Sequence, residues 1–356
     1  MSNCIKIIDN NALEHNLKYI KNKLSPKTKL CAVVKDNAYG HGINNVIKTL
    51  LDYANYFAVA SVDEGVKLRQ LTTLPILVLG ECEADKLDDI TKNNLEVTVS
   101  NIETLDNIIT SKIANIINVH LAIDSGMHRL GFYTKKDFNN AIKKIKKHPN
   151  IKLKGLFSHI GDATNQVRLQ SQKETFDRYY QLLPNTMHPI IHIANSDTIH
   201  IDHTMHCDMV RVGINIYGYC MPELKPVMSI IAKLTNIIKL NQDDYVGYGS
   251  MHYIKKGTLV GVICIGYGQG YMRTNAQFGS VILNGKLCKI IANICMDMTL
   301  IDITNVKCKL GDYAVVMGKQ GVHSIDANLL ATFNKTIPYE ILTNFDKIKN
   351  SILTHT

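Results

Sequence analysis

Short apolar runs alternating with helical patterns fill the first two thirds of this chain and constrain its fold more than any other feature. The runs fall at residues 30–34, 56–60, 76–79, 95–99, 119–123, 152–157, 190–193 and 209–212. Their nearly continuous apolar character is that of strands buried on both faces of a parallel sheet. Amphipathic segments lie between most of them. Leu13, Leu17, Ile20 and Leu24 make one helical stripe, Phe138, Ile142 and Ile145 a second, and Phe176, Tyr179, Tyr180 and Leu183 a third. Eight strands alternating with helices over roughly 200 residues predict an α/β fold of the (β/α)8 barrel type. A doubly wound open sheet is the competing architecture, and no GxGxxG follows the first strand to support it.

After about residue 225 the pattern changes. Residues 230–240, 258–265, 280–291, 299–303 and 313–317 read as strands without intervening helices. Asn284-Gly285 tolerates the positive φ of a type I′ turn and marks a hairpin. The expected division is a barrel over residues 1–225 and a β-rich domain over 226–356, with residues 1–8 a candidate to pair with the latter. Hydrophobic residues at 46%, charged residues at 20% and a net charge of +9 fit a globular protein. Lys143, Lys144, Lys146 and Lys147 read as a solvated helix face, and no basic, aromatic-interleaved patch points to nucleic acid. Neither a signal peptide nor a long apolar span is evident, so a cytoplasmic protein without membrane contact is expected. Nine dispersed cysteines without CxxC spacing read as reduced thiols. His203 and His206, three residues apart, lack a second ligand cluster at metal-site spacing, so no metal site is expected.

Lys35 closes the first apolar run, within the string AVVKDNAYGHG at residues 32–42. Asn37, Tyr39, Gly40, His41 and Gly42 form a polar, Gly-rich loop before the next helical pattern. Barrels carry their chemistry at the carboxyl ends of their strands. A lysine amine there can form a Schiff base with an aldehyde cofactor, although a lysine closing a strand is also commonly a solvated edge residue. Barrels often bind phosphate with the loops after strands seven and eight. Asn195 and Ser196 follow the seventh run, where Ser196 offers a hydroxyl and a backbone N–H at an expected helix start. Gly213 and Ile214 follow the eighth, where glycine lets backbone approach an anion. Ordinary helix capping is the alternative for Asn195 and Ser196.

The string AVVKDNAYGHG closely resembles the pyridoxal 5′-phosphate (PLP) lysine motif of alanine racemases, which usually reads AVVKANAYGHG. The resemblance recurs in order along essentially the whole chain, through DSGMHRLGF, SHIGDA, MVRVGINIYG, VGYGS, IGYGQGY, ICMD and IPYE. It implies a PLP-binding barrel followed by a β domain, and a homodimer whose active sites are shared between subunits. The implied reaction is the interconversion of L-alanine and D-alanine, supplying D-alanine for peptidoglycan. By the same resemblance Lys35 holds PLP, Tyr39 and Tyr339 contact its phosphate, and His159 lies beside its ring. Arg129 orients the cofactor phenolate and the substrate carboxylate, Tyr267 lines the site, and the Met296 backbone N–H meets the substrate carboxylate.

Arg211, in MVRVGINIYG, matches the arginine that faces the pyridine nitrogen. An arginine stays protonated and has no acceptor, so the ring nitrogen must accept and remain unprotonated. That weakens the ring as an electron sink and restrains side reactions such as transamination. Tyr248, in VGYGS, matches the second base. Racemisation removes a proton from one face of Cα and delivers one to the other, which two bases on opposite faces do directly. Lys35 and Tyr248 are the implied pair, with Tyr248 reaching the partner's barrel.

Four positions depart from the family pattern. Ala122 stands where a lysine, sometimes carbamylated, is frequent, which deprives Arg129 of its usual anionic neighbour. Gln269 replaces a usual aspartate, Asn293 a usual arginine at the entrance, and Thr164 stands near a usual entrance aspartate. These changes spare the PLP-binding and proton-transfer residues and bear on substrate identity. Serine, or a broader range of amino acids, is the alternative substrate. A non-catalytic PLP-binding barrel is a different class of reading, opposed by residues 226–356. A PLP decarboxylase draws on Cys295 but is opposed by Arg211.

Overall fold

The computed structural model describes residues 3–111, 115–250, 252–349 and 351–354. Met1 and Ser2, part of the segment expected to pair with the second domain, lie outside the described residues. Contacts divide the chain into two units. One comprises Asn16–Asp36 and Ile47–Ile216, the other the chain up to His15, Asn37–Val46 and the chain from Tyr217 onward.

The first unit carries eight parallel strands, here β1 (Lys29–Val33), β2 (Tyr56–Val59), β3 (Ile76–Glu81), β4 (Glu96–Val99), β5 (Ile117–Ala122), β6 (Ile151–Phe157), β7 (Ile190–His192) and β8 (Met209–Val212). Their order is β7-β6-β5-β4-β3-β2-β1-β8. The seam between β7 and β8 is bridged by individual bonds: Asp208 N–H to Ile191 O at 3.0 Å, Ile191 N–H to the Asp208 carboxylate at 2.8 Å, and Arg211 N–H to Ala194 O at 3.0 Å. The result is the eight-stranded near-barrel that the sequence pattern predicts. Leu30, Ala32, Phe57, Val97, Leu121 and Leu156 are fully buried, as strands covered on both faces require.

Helices follow most strands. Lys135–Lys147 starts at Thr134, whose hydroxyl accepts the Asp137 N–H, and buries Phe138, Ala141, Ile142 and Ile145. Gln166–Tyr180 buries Leu169, Gln172, Phe176 and Tyr179. Tyr180, expected on that stripe, is exposed instead, and Leu183 lies beyond the helix. Tyr180 follows Tyr179 directly, and adjacent helical residues point about 100° apart.

The second unit is built on a nine-stranded sheet. Its main path runs Lys286–Lys289, Ser280–Leu283, Tyr313–Gln320, Met228–Lys239, Cys4–Asp9 and Ser351–Thr354. Cys4–Asp9 pairs antiparallel with Met228–Lys239, from Cys4 opposite Ala232 to Ile8 opposite Met228. The hairpin turns at Asn284 (φ 49°) and Gly285 (φ 78°), the signs a type I′ turn needs. Two helices, Ala327–Asn334 and Pro338–Asn344, join the strands. Among the described residues no helix is long and apolar enough to cross a membrane.

Candidate active site

Lys35 lies just past the carboxyl end of β1, after Val34, and is half-buried. Arg211 lies on β8, the strand hydrogen-bonded to β1, where Cys31 is registered opposite it. Arg211 is 4% exposed and makes no ion pair with a carboxylate among the described residues. Its Nη1 donates to Nδ1 and the carbonyl of His192, and Nη2 donates to Ser158 O at 2.6 Å. Burial lowers its pKa to about 10, which leaves it charged at neutral pH. Its Nε–H donates to no protein acceptor among the described residues.

His159 follows β6. Burial, and then the charges of Arg211, Arg129 and Lys35, lower its pKa to about 3. These four side chains therefore form one electrostatic neighbourhood, with His159 as its neutral member. Arg129 is exposed and makes no hydrogen bond or ion pair among the described residues; Ala122, at the position where a lysine is frequent, is buried.

The loops after β7 and β8 meet. Gly213 N–H donates to Ser196 Oγ at 3.0 Å, and Asn215 Nδ2 donates to Ser196 O at 2.9 Å. Asn195 shapes its own turn: its Oδ1 accepts from the Asp197 and Thr198 N–H groups, and Nδ2 donates to Ile160 O. The helix expected after Ser196 is a single 3₁₀ turn, Thr198–His200. The backbone N–H groups of Ser196 and Ile214 donate to no protein acceptor among the described residues.

In the other unit, Tyr39 ends a turn that the sequence pattern does not announce. Asp36, Asn37, Ala38 and Tyr39 all have φ between 52° and 58°, a left-handed helical turn of non-glycine residues, followed by Gly40 at 78° and Gly42 at 88°. Such a conformation costs on the order of 1–2 kcal/mol per residue. Its second half is clamped. Asn37 Oδ1 accepts the Ile43 N–H at 2.8 Å, Asn37 Nδ2 donates to Asp346 at 2.7 Å, and the buried Lys6 ammonium donates to Gly40 O. A Cβ on Gly40 would lie 2.3 Å from Leu342 O. The Tyr39 ring packs near Tyr217 and, at 5.9 Å between centroids, near Tyr339, which sits at the start of Pro338–Asn344.

Tyr248 is 71% exposed between Gly247 and Gly249, both with positive φ. Asn293, at the position of the usual entrance arginine, donates from Nδ2 to Tyr248 O at 2.9 Å. Tyr267 and Met296 are brought together by two backbone bonds, Tyr267 N–H to Cys295 O and Gly268 N–H to Met296 O. Gln269 ties the same loops, accepting the Gly266 N–H and donating to Asp297 at 2.8 Å. Thr164 donates to Asp162 rather than replacing a charge alone.

Comparison with known proteins reads the same way. Residues 8–221 match the model "Alanine racemase, N-terminal domain" and residues 227–352 match "Alanine racemase, C-terminal domain". The chain belongs to the alanine racemase family. It is 36% identical over 353 residues to the alanine racemase of Vesicomyosocius okutanii, covering 96% of this chain and 97% of that protein. Its fold is similar to that of the Bacillus anthracis alanine racemase crystallised with bound L-Ala-P, with a TM-score of 0.94, 28% identity, and coverage of 100% of this chain and 96% of that one. A histidine racemase from Leuconostoc mesenteroides is also similar, with a TM-score of 0.89, 25% identity, and coverage of 99% and 98%. The protein is thus an isomerase, an amino-acid racemase that depends on PLP.

The residues present fit that cofactor. The uncommitted N–H groups of Ser196 and Ile214, on loops pinned by Gly213, suit a phosphate. Arg211 is buried with a free Nε–H and can only donate, which suits a ring nitrogen that accepts. Lys35 supplies the amine.

Proposed function

We propose that this enzyme interconverts L-alanine and D-alanine, with Lys35 and Tyr248 moving the Cα proton from opposite faces. PLP, when bound, supplies the electron sink that acidifies the substrate Cα–H. The observation that carries the reading is Arg211: a buried guanidinium with no carboxylate partner among the described residues, one strand from Lys35. A donor fixed at the ring nitrogen disfavours the deeper charge delocalisation of transaminases and suits proton return to Cα. In this reading Lys35 Nζ and Tyr248 Oη hold or release the proton. Lys35, Tyr39, Ser196, Gly213, Ile214 and Tyr339 bind the cofactor, with Asn195 shaping the phosphate turn and His159 neutral beside the ring. Arg129, Tyr267 and the Met296 N–H orient the substrate carboxylate.

Tyr248, Met296 and Tyr267 are 71%, 56% and 39% exposed in a single chain. This supports a homodimer in which each subunit's β-rich domain, taken as residues 226–356 with the N-terminal strand, completes the barrel site of the other. Supply of D-alanine for peptidoglycan in the cytoplasm is the role that fits. The altered mouth at Thr164, Gln269 and Asn293, together with the similarity to a histidine racemase, favours a second reading of serine or broader specificity.

The test is a chiral-product assay of the PLP-loaded enzyme with L-alanine and L-serine in parallel. Near-equimolar D- and L-alanine is expected. Faster serine turnover would reassign the substrate, and no turnover of either would refute the proposal.

A further inference from the structure

Behind Arg211 runs a buried hydrogen-bonded chain whose other members, His192, His120, Glu96 and Tyr56, are not among the expected site residues. Arg211 Nη1 lies 2.7 Å from His192 Nδ1, and His192 Nε2 lies 2.9 Å from His120 Nδ1. His120 Nε2 lies 2.7 Å from Glu96 Oε2, which also accepts from the Tyr56 hydroxyl at 2.9 Å. The five side chains come from β8, β7, β5, β4 and β2, and none is more than 5% exposed.

The proton positions along this chain are forced. A guanidinium can only donate, so His192 Nδ1 must accept. A neutral imidazole carries one proton, so His192 carries its proton on Nε2 and donates it to His120 Nδ1. His120 therefore carries its proton on Nε2 and donates to Glu96. Both rings are neutral, and the chain runs one way, from guanidinium to carboxylate. For His192, burial and then the Arg211 charge favour the same neutral state. Burial alone would raise the Glu96 carboxyl, but the bonds from His120 and Tyr56 outweigh it and hold the group anionic.

Space for the chain is built into the barrel. Gly155 on β6 is registered opposite His120, and a Cβ there would lie 1.9 Å from His120 Nδ1. The Phe157 ring stacks on His192 at 5.0 Å and lies 5.1 Å from the Arg211 guanidinium carbon.

We infer that Glu96 is a positioning residue which, through His120 and His192, fixes the orientation of Arg211 and balances its charge. The inference rests on the reading that Arg211 faces the cofactor's ring nitrogen. A carboxylate in direct contact could bind the guanidinium side-on and take up Nε–H. Two neutral imidazoles between the charges leave Nε–H free for the ring while the buried cation still has its counter-charge.

The experiment compares the wild-type, Glu96→Gln, Tyr56→Phe and Arg211→Lys holoenzymes by ¹⁵N-histidine NMR and by the visible absorption of bound PLP. In the wild type, both rings are expected as neutral Nε2–H tautomers; an Nδ1–H tautomer or an imidazolium at either ring overturns the inference without any variant. Glu96→Gln keeps an acceptor but removes the charge. It is expected to lose the far-downfield imidazole N–H signals and to move the PLP band, with a smaller change of the same sign in Tyr56→Phe. The ratio of transamination to racemisation should rise, because an uncompensated guanidinium draws more density from the ring. If Arg211→Lys moves the band and neither Glu96→Gln nor Tyr56→Phe does, the chain is only core structure and the inference fails while the Arg211 reading stands. If Arg211→Lys also leaves the band unmoved, the Arg211 reading fails and the inference with it. Should Glu96→Gln not fold, Tyr56→Phe and the wild-type tautomers decide.

Discussion

Three histidines, His41, His159 and His192, make the folded chain sensitive to acid. Burial, first of all, lowers His41 and His159 to about 3 and His192 well below its ordinary value. The unfolded chain takes up these protons near pH 6.5; in the folded chain His41 and His159 do so only near pH 3, and His192 well below its ordinary range. Unfolding therefore binds protons between those limits, so stability rises with pH from about 3 to about 6.5 and gains nothing further from these groups above that. A Tm series against pH should show this slope, and His41→Phe, which keeps a ring against Tyr217, should reduce it by about one proton. An unchanged slope would mean that His41 is protonated in the fold. Lys35→Ala should abolish the visible Schiff-base absorption of the loaded protein, and an unchanged spectrum would remove Lys35 from its proposed place. Lys35 and Arg211 could be singled out in the sequence because each stands in a matching string at a strand's end. Glu96, His120 and His192 could not. Each is a polar residue in a largely apolar strand, and only the folded barrel shows that their side chains join.

Among the elements, the barrel strands were the most legible. Met209–Val212 matches its apolar run residue for residue, and the others differ by one or two residues at their ends. Burial on both faces writes itself into the sequence as an unbroken apolar run. Helices Ala327–Asn334 and Pro338–Asn344 were harder to see, being short and without a long stripe, yet Asp326 capping the first and Pro338 opening the second are readable start signals. The left-handed turn after Lys35 left weaker traces, in Asn37, Gly40 and Gly42, because nothing in Ala38 or Tyr39 requests a positive φ. This turn is also where a small change should matter most. Gly40→Ala places a methyl 2.3 Å from Leu342 O at a φ of 78°, and should destabilise the protein by roughly 1–3 kcal/mol or more. A Tm within a degree of the wild type would show that the turn relaxes freely.

At the scale of the whole molecule, the proposed sharing of sites can be tested by mixing two inactive enzymes. Lys35→Ala and Tyr248→Phe subunits, exchanged at equal amounts, should form hybrids with one intact site of two. That restores roughly a quarter of wild-type activity if the two-fold dimer exchanges Tyr248 between subunits. No restoration despite proven exchange would place both residues in one subunit's site. Only the family resemblance suggested this sharing, since the residues around a surface tyrosine such as Tyr248 carry no mark of what it faces. The near-barrel has one further consequence. Its β7–β8 seam is joined by single bonds through Asp208 and Arg211 rather than by a ladder, and the loops bearing Ser196, Gly213 and Ile214 continue from these same two strands. An anion gripped by both loops would rivet the barrel where it is most able to breathe. Deuterium uptake at the Asp208 and Arg211 amides should therefore slow when PLP is added, more than at the β4–β5 ladder, which is far from the seam.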